Sequence, residues 1–236
     1  MLNKDNILTA FKSKGIDWSE VNSNSEQILI LGKKSFEEAR EIQNTLVKKR
    51  IHNEIENTII FTEHPPTLSL GNRISLVDDS KYFNIWKELG VEVVKTNRGG
   101  QLTFHGPGQL IIYPIIKINS VKSFIKNYLE LLSKSLAKLD IESKCKLEPA
   151  GLWLEQGSIN KKIGSVGLKI ENKVTNHGFS LNLNCALEPF LEFNVCGDKN
   201  TSVTSVQELS NNNFKGKYLK TLVNNLCNNS LKFIRL

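Results

Sequence analysis

The order in which helix-like and strand-like segments follow one another limits the possible folds of this chain more than any other feature. Residues 123–139 show the clearest amphipathic pattern, with large apolar side chains recurring at helical spacing. A second helix is predicted over residues 35–50, where Ser35 and Glu38 can form a capping box. A third, shorter helix is predicted over residues 80–89.

Strand-like segments surround these helices and follow one another closely after residue 150. The turn-like sequence Glu171-Asn172-Lys173 between the last two predicts a hairpin. Because the strands do not alternate regularly with helices, we predict an α/β fold of the α+β type, with a mixed or antiparallel sheet flanked by helices. One catalytic domain is predicted over residues 1–236, with its main motifs in 62–209 and a C-terminal helix near 217–226. The predicted strands cover residues 57–62, 91–95, 110–116, 151–155, 162–170 and 174–184.

The charge balance is basic, with 31 Lys and Arg against 24 Asp and Glu and a formal net charge of +7. A positive surface favours anionic partners, although a composition rich in Lys and Asn explains the charge equally well. Residues 1–14 lack the apolar segment and cleavage site of a signal peptide. No run of about 18 apolar residues occurs, so we expect a cytoplasmic protein without a membrane span.

A glycine-rich segment, NRGGQLTFHGPGQLIIY at residues 97–113, lies between two predicted strands. Glycine weakens strand interiors, so four glycines here indicate sharp turns or close approach of the backbone to a ligand. Arg98 offers a cationic fork and His105 a polar ring beside the bend. The pattern is neither a P-loop nor a dinucleotide-binding fingerprint. An ordinary glycine-rich turn, with Arg98 solvated, is the alternative interpretation.

Cys196 is the cysteine whose surroundings best suit a nucleophile. Gly197 follows it, and Thr201 or Ser202 is predicted to cap a helix over residues 203–209. A thiol needs a neighbouring cation or a helix N-terminus to ionise near neutral pH. Cys145, Cys185 and Cys227 lack such a setting. The four cysteines form neither Cys-x-x-Cys pairs nor a secreted disulfide framework, and no zinc site is expected.

Lys162 is a candidate partner for that thiol. It is followed by small residues in the segment NKKIGSVG and could point into a pocket from a strand. There it could hold a thiolate by charge or move its proton. A solvated Lys161-Lys162 pair at a strand entrance is the alternative.

Several sequence blocks, taken in order, resemble the lipoyl(octanoyl) transferase family of the biotin and lipoate protein ligase superfamily. They are HPPTLSLG at residues 64–71, RGGQLTFHGPGQLIIYP at 98–114, GLWLEQGSINKKIGSVG at 151–167, VTNHGFSLNLN at 174–184 and VCGDKNTSVTSV at 195–206. The resemblance implies the fold of biotin and lipoate protein ligases. It also implies Cys196 as the nucleophile and Lys162 as the residue that lowers the pKa of its thiol.

The same resemblance implies that three segments contact the substrate. We expect Gly99, Gly100 and Gly178 to leave room for an eight-carbon tail, and His177 to orient a substrate or a neighbouring loop unless it is structural. The sequence departs from the family at Val195, where proline is usual, and over residues 72–79. The implied substrate-binding residues are Arg98, Gly99, Gly100, Gln101, Leu102, Thr103, Phe104, His105, Ser165, Val166, Gly167, Gly178, Phe179 and Ser180.

The activity implied by the resemblance is transfer of octanoyl from acyl carrier protein to a lysine of a lipoyl domain. The acceptors would be apo lipoyl domains of 2-oxoacid dehydrogenase E2 subunits and the glycine cleavage H protein. Neither ATP nor a metal is expected, and we expect a monomer that binds neither nucleic acid nor membrane. Three alternatives stay open: an ATP-dependent lipoate or biotin ligase, an amidotransferase between lipoyl domains, and a nucleic-acid-binding module suggested by the charge.

Overall fold

A computed structural model describes residues 2–19, 21–23, 25–74, 80–156, 159–193, 201–210 and 216–234. The helices are α1 (Lys4–Leu8), α2 (Phe36–Ile51), α3 (Ser80–Glu88), α4 (Val121–Ala137), α5 (Val206–Leu209) and α6 (Gly216–Ile234). Short 3₁₀ helices cover Thr9–Lys12 and Glu188–Glu192. The strands are β1 (Ile28–Lys33), β2 (Thr58–Glu63), β3 (Thr67–Leu70), β4 (Glu92–Lys95), β5 (Leu102–His105), β6 (Gln109–Ile115), β7 (Lys144–Leu147), β8 (Ala150–Gln156), β9 (Ile159–Glu171), β10 (Val174–Asn182) and β11 (Ser202–Val203).

The main sheet has the order β1-β2-β6-β10-β9-β8-β7, and β11 pairs with β9. Its β1-β2 and β9-β11 pairs are parallel and the others antiparallel. A second sheet has the order β4-β3-β5. The prediction of a mixed sheet flanked by helices is therefore confirmed.

Helices cover both faces of the main sheet. On one face, Ala39 and Val47 of α2 pack on Ile60, Ile111 and other apolar residues of β2 and β6. On the opposite face, α4 and α6 pack over a larger core that includes alternate residues of the same strands. A third apolar cluster, which contains the buried Trp86, joins α1 and α3 to the second sheet. None of the described helices is both long and apolar enough to cross a membrane.

The sequence predictions for the long helices hold closely. Ser35 accepts a hydrogen bond from the Glu38 amide, and the Glu38 carboxylate accepts one from the Ser35 amide, so the capping box is present. The 123–139 helix begins two residues earlier, at Val121 behind the cap Ser120. The C-terminal helix is longer than predicted and runs over Gly216–Ile234.

One predicted helix is wrong in a place that matters for the site. Thr201 and Ser202 do not cap a helix over residues 203–209. Instead Ser202–Val203 form β11, and the helix begins at Val206 behind a different cap, Ser205. Pairing with β9 overrides the local capping signal, because it supplies backbone partners that an early helix start would not.

Candidate active site

Arg98 anchors the glycine-rich loop to strand β3. Its side chain is buried and donates hydrogen bonds to the Ser69 carbonyl oxygen and hydroxyl and to the carbonyls of Gly99 and Gln101. The alternative of a solvated Arg98 is therefore wrong. Burial lowers the pKa of the guanidinium to about 10, which leaves it protonated near neutral pH. The arginine shapes the loop and lines the cavity beside it.

Backbone packing requires glycine at positions 71 and 178. A Cβ at Gly178 would lie 2.1 Å from the carbonyl oxygen of Ile112 on β6, and a Cβ at Gly71 would lie 2.3 Å from that of Gly100. Room for a substrate tail at Gly99, Gly100 and Gly178 stays a prediction. Gly178 permits β10 and β6 to pack closely in the wall of the cavity.

Lys162 enters the site through an irregularity in β9. Leu152 of β8 pairs with Gly164 and the next residue, Trp153, pairs with Lys162, so Ile163 is an extra residue on β9. Such a bulge changes which face of the sheet the following side chains occupy. Lys162 is 5% exposed and lines the cavity, so the alternative of a solvated lysine is wrong.

Two residues of β8 define the space that the Lys162 side chain occupies. Its Nζ lies over the Trp153 ring, 5.1 Å from the ring centroid, in the geometry of a cation–π contact. A Cβ on Gly151 would lie 2.6 Å from Lys162 Cε and 3.3 Å from Nζ, so the lysine passes directly over this glycine. Neither residue was predicted to belong to the site, although both lie in the Gly-Leu-Trp segment at 151–153.

His105 and His64 are buried with both ring nitrogens occupied. His105 Nδ1 lies 2.7 Å from Gln109 Oε1 and Nε2 lies 3.0 Å from Ser69 Oγ. His64 Nδ1 lies 2.8 Å from the Lys34 carbonyl and Nε2 lies 2.7 Å from the Tyr113 hydroxyl. Burial lowers the pKa of His105 to about 3 and that of His64 to about 4, so both rings are neutral near pH 7.

His177 combines a special backbone conformation with a place in the cavity wall. Its φ of +55° is in the left-handed region, and its Nε2 lies 2.9 Å from Asn97 Oδ1. Burial and then the charge of Arg98 lower the pKa of His177 to about 4. The backbone amide donates to Gln43 of α2 and to the Asn176 side chain, so this residue links β10 to α2 and to the glycine-rich loop.

These residues meet around one cavity of about 710 Å³, a size typical of small-molecule sites. Fifteen of the sixteen described residues that the sequence singled out line it: Lys162, His177 and all the substrate-binding residues except Phe104. Phe104 instead packs against Trp86 and Phe190 in the third apolar cluster. Alternation along β5 explains this, since Thr103 and His105 have the opposite orientation to Phe104.

Apolar residues from several elements complete the cavity wall. They were not predicted as site residues, because they meet only through the tertiary fold, although Ile111 and Tyr113 lie within the glycine-rich segment. They are Phe36 on α2, Ile111 and Tyr113 on β6, Val121 and Ile125 on α4, and Leu147 and Pro149 beside the β7–β8 turn.

Cys196 and Val195 lie outside the described residues. The other three cysteines are free thiols in the structure. Burial raises the pKa of Cys185 and of Cys227 to about 12 and raises that of Cys145, so none of the three resembles an activated nucleophile.

The class of protein follows from its likeness to solved structures and to a family model. The fold resembles a crystal structure of lipoate-protein ligase A bound with ATP, with a TM-score of 0.64, 13% identity and coverage of 87% of this chain and 85% of that chain. A model of the lipoyl protein ligase A/B catalytic domain matches residues 35–225. The chain belongs to this family.

Relatives within the family are octanoyltransferases. The chain is 34% identical over 193 residues to an octanoyltransferase of Desulfotalea psychrophila, covering 78% of this chain and 84% of the relative. It is 33% identical over 189 residues to a mitochondrial octanoyltransferase of Arabidopsis thaliana, covering 75% of this chain and 76% of the relative. The predicted family and acyltransferase class are therefore confirmed.

Proposed function

We propose that this chain transfers an octanoyl group from acyl carrier protein to a lysine of a lipoyl domain, through a thioester on Cys196. The observation that carries the proposal is the amino group of Lys162, buried at the wall of a cavity with both apolar and polar lining, in a chain whose relatives are octanoyltransferases. The apolar part of the wall suits the tail, because each buried CH₂ contributes about 0.8 kcal/mol.

The segment that follows Cys196 supports the pairing of this cysteine with Lys162. Val203 of β11 pairs with Lys162, and the Thr204 amide donates to the Lys162 carbonyl over 2.9 Å. Ser202 lies six residues after Cys196. Six residues span at most about 20 Å, so Cys196 lies within reach of the lysine along the chain.

The proposed reaction has two halves. The Cys196 thiolate attacks the thioester carbonyl, a carbon–sulfur bond forms, and the phosphopantetheine thiolate leaves and takes up a proton. The uncharged amine of the acceptor lysine then attacks the enzyme thioester, giving an amide and regenerating the cysteine. Lys162 holds the thiolate by charge and transfers protons in both halves.

The proposal uses neither ATP nor a metal, since a thioester is already activated. Acceptors would be apo lipoyl domains of E2 subunits and the H protein, encountered by a monomer in the cytoplasm. The competing function is ATP-dependent ligation, because the fold is shared with a ligase. The two differ in whether free octanoate and ATP are consumed.

Intact-mass measurement after mixing with octanoyl acyl carrier protein tests the proposal. We expect one hydroxylamine-sensitive octanoyl adduct that maps to Cys196. Cys196→Ser should give no thioester adduct, whereas Cys145→Ser should be acylated like the parent. Lys162→Ala should lower the acylation rate by about 100- to 10,000-fold, the usual contribution of a positioned acid or base. Consumption of octanoate and ATP without a thioester would instead establish the ligase.

A further inference from the structure

A chain of buried side-chain hydrogen bonds links the glycine-rich loop to the segment that follows Cys196. It begins at Arg98, whose Nε donates to Ser69 Oγ over 3.1 Å, and continues from Ser69 to His105 Nε2 over 3.0 Å. His105 Nδ1 and Gln109 Oε1 are 2.7 Å apart. The chain thus crosses from the second sheet into β6 of the main sheet.

The second half of the chain leads to β11. Gln109 Nε2 donates to Asn182 Oδ1 over 2.9 Å, and Asn182 Nδ2 donates to the Thr204 carbonyl over 3.0 Å. The Thr204 amide in turn donates to the Lys162 carbonyl over 2.9 Å. Asn182 is therefore the side chain that joins the end of β10 to the residue directly after β11.

In each hydrogen bond of this chain the donor lies on the side of Arg98 and the acceptor on the side of Thr204. The arginine can only donate, so the Ser69 hydroxyl accepts from it and donates its own hydrogen to His105 Nε2. His105 then carries its proton on Nδ1 and donates to Gln109. The Gln109 amide group donates to Asn182, and the amide group of Asn182 is left to donate to Thr204. This order of donors and acceptors fixes the tautomer of His105 and the orientation of the side-chain amides of Gln109 and Asn182.

Because these groups are buried, the loss of any one of the hydrogen bonds should be destabilising. The six residues of the hydrogen-bond chain are each at most 7% exposed: Arg98, Ser69, His105, Gln109, Asn182 and Thr204. Polar groups buried without partners are strongly unfavourable, so a half-satisfied network would be worse than an apolar one. β11 itself has only two residues, and it meets β9 beyond the region where β10 pairs. A strand of two residues depends on side-chain hydrogen bonds and packing to keep its position in the sheet.

We propose that Asn182, oriented by Gln109, is a positioning residue that holds β11 against Lys162 and thereby sets the approach of Cys196 to the lysine. This inference rests on the proposed function, in which the cysteine preceding β11 is the nucleophile. Neither residue touches the reacting atoms in this account. They act through the Thr204 carbonyl.

The test compares two variants of β10. Asn182→Leu keeps the approximate side-chain volume and removes the link to Thr204. Thr175→Val is the matched control: it removes two buried hydrogen bonds of the same strand, to Pro114 and Ile116, that do not join the network. Both variants should lose thermal stability, and only Asn182→Leu should lose reactivity.

Three measurements separate positioning from general stability. We expect Asn182→Leu to acylate Cys196 about 10- to 100-fold more slowly, as for a displacement of about 1 Å, with little change in KM for octanoyl acyl carrier protein. Alkylation of Cys196 by iodoacetamide should slow at pH 7, with its pH profile moved upward. Hydrogen exchange at the Thr204 amide should accelerate in Asn182→Leu and not in Thr175→Val.

An Asn182→Leu protein that is acylated at the rate of Thr175→Val would overturn the inference. If Asn182→Leu does not fold, Gln109→Met decides, since it removes the group that orients Asn182 and should show the same three changes to a smaller extent. Failure of the parent protein to form any adduct would instead contradict the proposed function. The two failures are therefore distinguishable.

Discussion

Lys162 lies over Gly151 because strand β9 carries one extra residue opposite β8. With the ordinary two-residue period, Lys162 would share a face with Val166 and Leu168, which pack against the large core under α4. The bulge at Ile163 places that isoleucine in the core and brings Lys162 onto the face of Gly151. Strand periodicity alone therefore does not place Lys162 over Gly151, although Val166 and Leu168 also border the cavity.

Gly151 provides a direct test of this arrangement. A Cβ there would lie 2.6 Å from Lys162 Cε and 2.4 Å from the Gly164 carbonyl oxygen, so Gly151→Ala must displace the lysine. We expect acylation of Cys196 by octanoyl acyl carrier protein to slow about 10- to 100-fold. Overpacking should also lower the free energy of unfolding by about 1–3 kcal/mol, measured by urea denaturation.

The variant Gly32→Ala separates the effect on acylation rate from the effect on stability. Gly32 has φ of +63°, and a Cβ there would meet Trp18 at an ordinary contact distance of 3.8 Å, so alanine strains the backbone on β1 without touching Lys162. It should lose stability and keep its acylation rate. Equal acylation rates in Gly151→Ala and Gly32→Ala would show that the missing side chain at Gly151 does not determine the position of Lys162.

At the scale of elements, the strongly periodic helices were predictable, and of the four-residue strands only β4 was predicted. The 35–50 helix is marked by its capping box, and α4 by its apolar stripe. β3, β5 and β7 have four residues each, and the alternation of β7, Lys-Cys-Lys-Leu, is too short to distinguish a strand from a loop. Their pairing partners lie elsewhere in the chain, so their existence depends on the sheet and not on local preference.

The β9–β10 hairpin was predicted from its turn, and its geometry offers a stabilising substitution. Asn172 and Lys173 have φ of +46° and +66°, the pattern of a type I′ turn. Glycine is favoured at the second of these positions, where lysine is strained. Lys173→Gly should therefore raise the free energy of unfolding by about 0.5–1 kcal/mol.

Urea denaturation measures this change, and acylation of Cys196 should stay at the parental rate because neither turn residue lines the cavity. Lys173→Val gives the opposite control, since a β-branched residue is poorly tolerated at positive φ. A Lys173→Gly protein less stable than Lys173→Val would contradict the turn assignment.

The whole molecule places its candidate site where two sheets and both helical layers meet. The sequence blocks predicted most of the cavity lining, because they lie on β5, β6, β9 and β10 with their spacing set by the strands. They could not predict the wall formed by Phe36, Val121, Ile125 and Leu147, which come from three elements spread along the chain. Only the topology brings α2, α4 and the β7–β8 turn to one place.

Three buried neutral histidines make the stability of the whole molecule dependent on pH. The pKa values of His64, His105 and His177 are lowered from 6.5 to about 4, 3 and 4. As the pH falls below 6.5, the unfolded chain takes up protons at these positions and the native protein does not. Stability should therefore fall steadily between pH 6.5 and about 4, with each histidine contributing up to about 2–3 kcal/mol.

Urea denaturation at several pH values across this window measures the slope. Glu63 opposes it in the lower part of the window, because burial raises the pKa of its carboxyl group and protonation there favours the native state. His64→Asn should reduce the slope by about one third, since one of the three groups is removed. Thr175→Val should lower stability equally at every pH and leave the slope unchanged, because it removes no titrating group. A parental protein equally stable at pH 7 and pH 4.5 would contradict the neutral, buried state of these rings, and with it the directed hydrogen-bond chain that requires His105 to accept from Ser69.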